Sequence, residues 1–348
     1  MNRKNLVTAL ETLYPSVSSK PILDEMGDFR IADGLLRTSD GLTQTQVKLA
    51  EPTGLHLRIK ADKFLRLLRG LPDDAVTLIV EGNDLTVKGA KATAKYVTSP
   101  AAEYLDALDF DVPTWNVLPK GLVKSMKLCA DSASKEASRG VLCGVLLSGE
   151  WAIGSDGYRI SRFPAKLPLD KPVVLTADLI RQVFSHSASV DGWAIKGDTM
   201  YFKIGTDAIV AGKLITGDYP DVAPFFAEAE KLAGTVVLPE SLKAGLKRHL
   251  EQQGELPTAS QDVVVKLDGD EATTISTDKT TYSLTETAKL DKAVEKPLSF
   301  KVHPAVLLEI LDRTRAMRYE PGLEFVLFEN KFATDEGTFQ YLACVESA

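Results

Sequence analysis

The sequence predicts an α+β protein built from one module repeated three times, each copy carrying two helices on antiparallel sheets. Three observations predict it. Val117-Leu118-Pro119 recurs as Val237-Leu238-Pro239, 120 residues further on. Apolar residues at helical spacing follow each copy, and a proline suits the first turn of a helix because its missing N–H has no bond to make there. In the later half of each block a second helical stretch leads into short alternating stretches around a Gly/Asn/Asp turn, the mark of a hairpin. A chain of 348 residues accommodates two or three domains at roughly 100–200 residues each. The repeat selects three, at 1–112, 113–231 and 232–348, with changeovers near 110–114 and 228–234.

The first helix of each module is expected over 2–14, 119–130 and 239–251. Leu6, Leu10 and Leu13 share a face in the first copy, Leu122, Val123 and Met126 in the second, and Leu242, Leu246 and Leu250 in the third. The second helix is expected over 61–70, 176–187 and 303–318. Lys60-Ala61-Asp62, Thr176-Ala177-Asp178 and His303-Pro304-Ala305 open these stretches. The hairpins that follow pair 76–80 with 85–87 around Gly82-Asn83-Asp84, 192–195 with 200–204 around Gly197-Asp198, and 323–328 with 331–333 around Glu329-Asn330. A period of about 115 residues is too long for a helical solenoid, whose units run to about 45.

Hydrophobic residues make up 44% of the chain and charged residues 26%, proportions that suit a globular protein with ordinary cores. No stretch reaches the roughly 18 apolar residues of a membrane helix. Met1-Asn2-Arg3-Lys4-Asn5 runs into an amphipathic pattern rather than a signal-peptide core. Cytoplasmic residence with no membrane partner is therefore expected. Cys129, Cys143 and Cys344 are odd in number and far apart, which argues against a disulfide framework or a zinc site. Buried free thiols are expected instead.

The net charge of −7 argues, as a sum, against nucleic acid, but its distribution argues the other way. The six helical windows hold 15 Lys and Arg against 7 Asp and Glu, a balance of +8 that leaves −15 on the rest of the chain. Window 119–130 is the most basic relative to its acids, with Lys120, Lys124 and Lys127 on one face and no acid at all. Duplex DNA carries about one negative charge per 1.7 Å of its axis. Basic helix faces around it would attract it whatever its sequence, while an acidic remainder would repel it elsewhere and keep the protein soluble.

Four segments in order carry a family resemblance. They are Lys63-Phe64 through Arg69-Gly70-Leu71-Pro72, then Thr98-Ser99-Pro100-Ala101-Ala102-Glu103-Tyr104. Next come Arg139-Gly140-Val141-Leu142-Cys143-Gly144-Val145-Leu146-Leu147 with Gly154-Ser155-Asp156-Gly157-Tyr158-Arg159-Ile160, and finally Gly212-Lys213-Leu214-Ile215-Thr216-Gly217-Asp218-Tyr219-Pro220-Asp221. Together they resemble the beta subunit of bacterial DNA polymerase III, the beta sliding clamp family, in a divergent or phage-encoded form. The resemblance is strong in the first two modules and weak in the third. It implies a DNA clamp fold that forms a head-to-tail homodimeric ring, a processivity factor that encircles double-stranded DNA without reading its sequence. It also implies a replicative DNA polymerase and a clamp loader as partners. A ring made of head-to-tail contacts must close, and closure removes open sheet edges.

The resemblance further implies a pocket for a short hydrophobic partner peptide, built here from Arg139, Ser155, Gly157, Tyr158, Arg159, Ile160, Pro220, Leu342, Ala343, Cys344 and Val345. Tyr158 stands where the family often has His, and Ser155 where it often has Thr. The tail Cys344-Val345-Glu346-Ser347-Ala348 departs from the family's usual ending, which puts the peptide preference in doubt. The DNA-contacting candidates are Lys20, Arg66, Arg69, Lys124, Lys127, Lys135, Lys247, Arg313 and Arg315. Glu251-Gln252-Gln253, ending the first helix of the third module, is polar where the family tends to place apolar ring contacts.

Catalysis finds no support in the residues. His56, His186, His249 and His303 are scattered and lack metal-ligand spacing. There is no phosphate-binding loop or dinucleotide glycine pattern, no nucleophile elbow surrounds Ser155-Asp156, and Asp73-Asp74 falls in a turn. The expectation is a binding protein with no enzyme activity, cofactor or metal. A non-encircling scaffold of the same fold, acting in DNA replication or repair, is the alternative.

Overall fold

A computed structural model describes the chain apart from residues 52, 104–107, 113, 187–188, 255–260, 278–280, 323 and 333–336. Tyr104, the changeover residue Pro113, the helix end expected at Ser187, and the hairpin limits expected at Leu323 and Ala333 thus lie outside the described residues.

The element order repeats three times. First come α1 (Arg3–Leu13), β1 (Asp28–Ala32), β2 (Leu35–Ser39), β3 (Thr43–Lys48), β4 (Leu57–Lys60), α2 (Ala61–Gly70), β5 (Thr77–Glu81), β6 (Asp84–Lys88), β7 (Thr93–Val97) and the short β8 (Ser99–Pro100). Next come β9 (Asn116–Val117), α3 (Leu122–Ala130), β10 (Gly144–Leu147), β11 (Trp151–Ser155), β12 (Arg159–Pro164), β13 (Val173–Thr176), α4 (Ala177–Ser185), β14 (Val190–Lys196), β15 (Thr199–Ile204), β16 (Ala208–Ile215) and α5 (Ala223–Ala229). Last come β17 (Gly234–Val237), α6 (Leu242–Gln253), β18 (Val263–Asp268), β19 (Glu271–Thr277), β20 (Ser283–Lys289), β21 (Leu298–Val302), α7 (Pro304–Leu311), β22 (Ala316–Tyr319), β23 (Phe325–Lys331), β24 (Thr338–Cys344) and β25 (Glu346–Ser347). The fold is α+β, and among the described residues its strands pair antiparallel.

Local chemistry sets the helix starts. Asn2 caps α1 by accepting from Asn5 N at 3.1 Å, and Thr176 caps α4 by accepting from Leu179 N at 3.2 Å. His303 Nδ1 accepts from Ala305 N at 3.2 Å, with Pro304 in the first turn of α7. Each cap satisfies an amide that has no partner inside its helix. The two Val-Leu-Pro copies fold alike. Pro119 and Pro239 each accept from the residue three further on, Leu122 and Leu242, at 3.1 Å. Each proline therefore sits in a turn ahead of the helix rather than in its first turn.

The chain packs as two compact units, Met1–Ala130 with Val173–Thr216, and Asp131–Pro172 with Gly217–Ala348. In the first unit one sheet runs β9-β14-β15-β16-β3-β2-β1-β4-β8, with β13 also on β16; β5-β6-β7 form a second. α1 packs on α2 and α3 on α4. Leu6, Leu10 and Leu13 are almost wholly buried, as are Phe64, Leu65 and Leu68, and each such side chain contributes roughly 1.5–3 kcal/mol by leaving water. In the second unit one sheet runs β10-β11-β12-β24-β23-β22-β17, a second runs β20-β19-β18-β21-β25, and α6 packs on α7.

Four expectations need correction. The helix expected over 303–318 stops at Leu311, and Ala316–Tyr319 is strand β22, whose residues alternate in burial. Arg313 and Arg315 therefore leave the helix, and α7 keeps only the acidic Glu309 as a charged residue. The turn expected at Glu329-Asn330 is uninterrupted strand, paired with Gln340 and Phe339. Their polar groups have partners there, with Gln340 Nε2 donating to Glu329 Oε1 at 2.8 Å and Asn330 Nδ2 to Arg313 O at 2.7 Å. The helix α5 was not expected, although Asp221 and Pro224 mark its start. Of the three free cysteines only Cys129 is buried; Cys143 is half-buried and Cys344 exposed.

Candidate partner-binding site

The expected pocket residues fall within the second unit and centre on the turn between β11 and β12. Buried Ser155 ends β11. Its Oγ donates to Arg159 O at 2.8 Å and accepts from Gly157 N at 3.1 Å. Asp156 Oδ1 accepts from Tyr158 N at 3.0 Å and from Arg159 N at 3.1 Å. Gly157 has φ +93°, a left-handed conformation that glycine adopts without steric cost. The turn lifts Tyr158 into solvent, 68% exposed. The Arg139 guanidinium lies over its ring, 5.7 Å from the centroid.

β24 runs beside this turn. Arg159 faces Ala343 and Ile160 faces Leu342, and Cys344 N donates to Tyr158 O at 2.8 Å. Ile160 and Leu342 belong to an apolar cluster with Ile153, Val222, Phe226 and Leu327, against which Trp151 and Tyr219 are half-buried. Leu342, Ala343 and Val345 are buried, while Pro220 and Cys344 are exposed. The structure thus divides the expected residues into two sets. Ser155, Ile160, Leu342, Ala343 and Val345 are buried, Ile160 and Leu342 within the apolar cluster, and Arg139, Gly157, Tyr158, Pro220 and Cys344 are exposed to solvent.

Arg159 belongs to neither set. Its Nε donates to Asp156 Oδ2 at 2.8 Å, Nη1 to Glu309 Oε2 at 3.1 Å and Tyr341 Oη at 3.2 Å, and Nη2 to Asp131 O at 3.1 Å. Burial would lower the Arg159 guanidinium, but Tyr341, Glu309 and Asp156 outweigh it and hold the group above its ordinary value. Burial pushes the Tyr341 hydroxyl up. Asp131, Glu309 and Tyr341 were missed at the level of sequence. The only signal available was the spacing of Glu309 and Arg313, four residues apart on one helical turn.

The basic candidates divide as well. In the first unit Lys20 is exposed, Arg66 pairs with Asp62 at 2.6 Å and Arg69 with Glu11 at 2.8 Å. Lys124 and Lys127 are half-buried on α3, Lys127 lying 5.9 Å from the Phe184 ring centroid. In the second unit Lys135 and Lys247 are exposed. Arg315 reaches Glu240 at 3.7 Å and Leu238 O at 3.3 Å. Arg313 is committed to Asp131 and, at 3.5 Å, to Glu309. A cavity of 390 Å³ in the first unit, partly lined by Leu6, Val47, Leu49 and Ile204, holds none of the groove residues. Neither does a charged cleft of 620 Å³ in the second, around Lys243, Arg315 and Lys331.

No protein-family model matches the chain. The beta sliding clamp of Vibrio cholerae serotype O1 is 23% identical over 186 residues, which cover 49% of this chain and 50% of that protein. The beta sliding clamp of Chlamydia pneumoniae is 22% identical over 238 residues, covering 63% of this chain and 64% of that protein. These alignments thus span about half to two thirds of the curated relatives. Among solved structures, the beta chain of DNA polymerase III from Streptococcus pneumoniae superimposes with a TM-score of 0.82 at 16% identity, covering 100% of this chain and 98% of that one. The DNA clamp fold is therefore shared over the full described length.

Proposed function

We propose that this chain, which has the fold of the beta sliding clamps and resembles them in sequence, is a divergent clamp that encircles duplex DNA as a head-to-tail dimeric ring. Three domains, 1–112, 113–231 and 232–348, make up each half of the ring. It holds a replicative polymerase on DNA through the groove around Tyr158 and Cys344, a loader opens it, and it has no chemistry of its own.

One observation carries this reading, a pairing rule that the repeat obeys twice. The third strand after the first helix of the first module, β3, pairs with the third strand after the second helix of the second, β16. The third strand after the first helix of the second module, β12, pairs with the third strand after the second helix of the third, β24. By the same rule β20 needs the third strand after the second helix of a following first module, which is β7. Among the described residues β20 and β7 are both sheet edges. Edges of this kind invite pairing with another chain, and a head-to-tail contact between identical chains closes a ring when the rotation allows. The register is transferable too. Thr45 faces Val210 and Ser161 faces Tyr341, so Leu284 would face Ala94 of a second copy.

Duplex DNA in such a ring is held by topology, with weak contacts from Lys20, Arg66, Arg69, Lys124, Lys127, Lys135, Lys247 and Arg315 that permit sliding. Arg313 is left to its carboxylate partners. The test is a sedimentation mass followed by a retention assay. A mass near twice 37.8 kDa is expected, with protein retained on a nicked circle after loading and lost when the circle is cut. A monomer at high concentration, or equal retention on linear and circular DNA, would overturn the reading.

A further inference from the structure

We infer that Glu309 and Asp131 are positioning residues for the partner groove, acting through Arg159, and that Arg159 anchors the turn from beneath instead of touching the partner. This rests on the groove reading above. The repeat supplies an internal comparison. Ser39-Asp40-Gly41-Leu42-Thr43 joins β2 to β3 just as Ser155-Asp156-Gly157-Tyr158-Arg159 joins β11 to β12. The two turns share one glycine conformation and three backbone-amide bonds. Gly41 has φ +92° and Gly157 has φ +93°. Ser39 Oγ accepts from Gly41 N at 3.1 Å, as Ser155 Oγ does from Gly157 N. Asp40 Oδ1 accepts from Leu42 N at 2.9 Å and Thr43 N at 2.7 Å, as Asp156 Oδ1 does from Tyr158 N and Arg159 N.

Each turn is then tied to the sixth residue of the following module's second helix. In the first unit that residue is Gln182 of α4, which donates to Asp40 Oδ2 at 2.9 Å and to Thr43 Oγ1 at 2.5 Å. Ser16, following α1, donates to Gln182 Oε1 at 2.8 Å. In the second unit the residue is Glu309 of α7, which takes Arg159 Nη1 at 3.1 Å. The segment after the first helix again closes the joint, since Asp131 O accepts from Arg159 Nη2 and the Asp131 carboxylate holds Arg313. The joint is thus the same device made twice, with the neutral Gln182 at the first and an ion network at the second. An Arg whose donors point at Asp156, Glu309, Tyr341 and Asp131, with its side chain 11% exposed, has little left to offer a ligand. What it controls is the turn that carries Tyr158 and, through Tyr158 O, the amide of Cys344. A buried ionic contact that loses one partner leaves the other charge uncompensated, so breaking this joint should release the turn.

Hydrogen exchange on the full-length protein tests this. Glu309→Gln should speed exchange of the amides at 156–159 and 344 at least tenfold and leave those at 41–43 unchanged, while Gln182→Ala should do the reverse. A fluorescein-labelled pentapeptide ending in Leu-Phe should bind Glu309→Gln at least fivefold more weakly than the unmodified chain, and Glu309→Asp should recover most of that affinity. Unchanged exchange at 156–159 in Glu309→Gln would overturn the inference. Faster exchange with no peptide bound even by the unmodified chain would sustain the joint and sink the groove reading instead.

Discussion

At the scale of single residues, burial decides which polar side chains are structural. His249 is fully buried on α6, its ring nitrogens 2.6 Å from Ser276 Oγ and 2.9 Å from Thr274 Oγ1. Burial lowers its affinity for a proton below the ordinary value of 6.5, and Glu286 only partly opposes this. The unfolded chain therefore binds a proton there that the folded chain refuses, so stability falls as pH drops below 6.5 toward the depressed folded value. His186 and His303 are lowered for the same first reason and add to the effect. Urea midpoints measured at about pH 7.5 and about pH 5.5 should show this loss, and His249→Asn should show less of it. An equal loss in the variant would mean that His249 does not titrate differently on folding. The arginines follow the same logic. Arg159 and Arg313 look from sequence like free cations, but their donors point at carboxylates and carbonyls brought close only by folding.

At the scale of elements, helices were legible where an apolar stripe is regular, with a side-chain cap at α1 and α4 and without one at α2. α2 spans the residues expected, and α1 and α4 come within two residues of their windows. Thr176 shows the local energetics. Removing its hydroxyl leaves Leu179 N without its acceptor, so Thr176→Ala should cost about 0.5–2 kcal/mol, read as a lower thermal midpoint with the secondary structure retained. The expected continuation of α7 failed because Arg313, Thr314 and Arg315 are all tolerable in a helix. What ends the helix is tertiary, since Thr314 Oγ1 donates to Glu329 O on β23. Strand β23 likewise runs through Glu329 and Asn330 because Gln340 and Arg313 supply partners for their polar groups. The groove was legible as a motif, Ser-Asp-Gly, but not as a geometry. Its twin at Ser39-Asp40-Gly41 passed unnoticed because the two turns diverge at the residues that follow.

At the scale of the whole molecule, three helix pairs recur, α1 with α2, α3 with α4, and α6 with α7, and the modules are joined strand to strand within each compact unit. The proposed contact between copies joins edge strands β20 and β7. A carboxylate placed in the proposed contact between copies should expose it. Leu284→Asp and Ala94→Asp should each weaken self-association at least tenfold, or about 1.4 kcal/mol, while leaving the fold intact. Sedimentation against concentration checks this, and a dimer as tight as before in both variants would rule out the β20 to β7 contact.

Local pattern along the chain was enough for the threefold order of elements, the α+β class and most of the buried face of each expected helix, because periodicity and caps repeat with the chain. Tertiary structure alone decided which charges are free, where α7 ends, and that Arg159 lies beneath the groove. The placement of Arg159 depends on partners more than 100 residues away, Glu309 and Tyr341, and the end of α7 on Glu329 in a neighbouring strand; no local pattern encodes a contact that only folding creates.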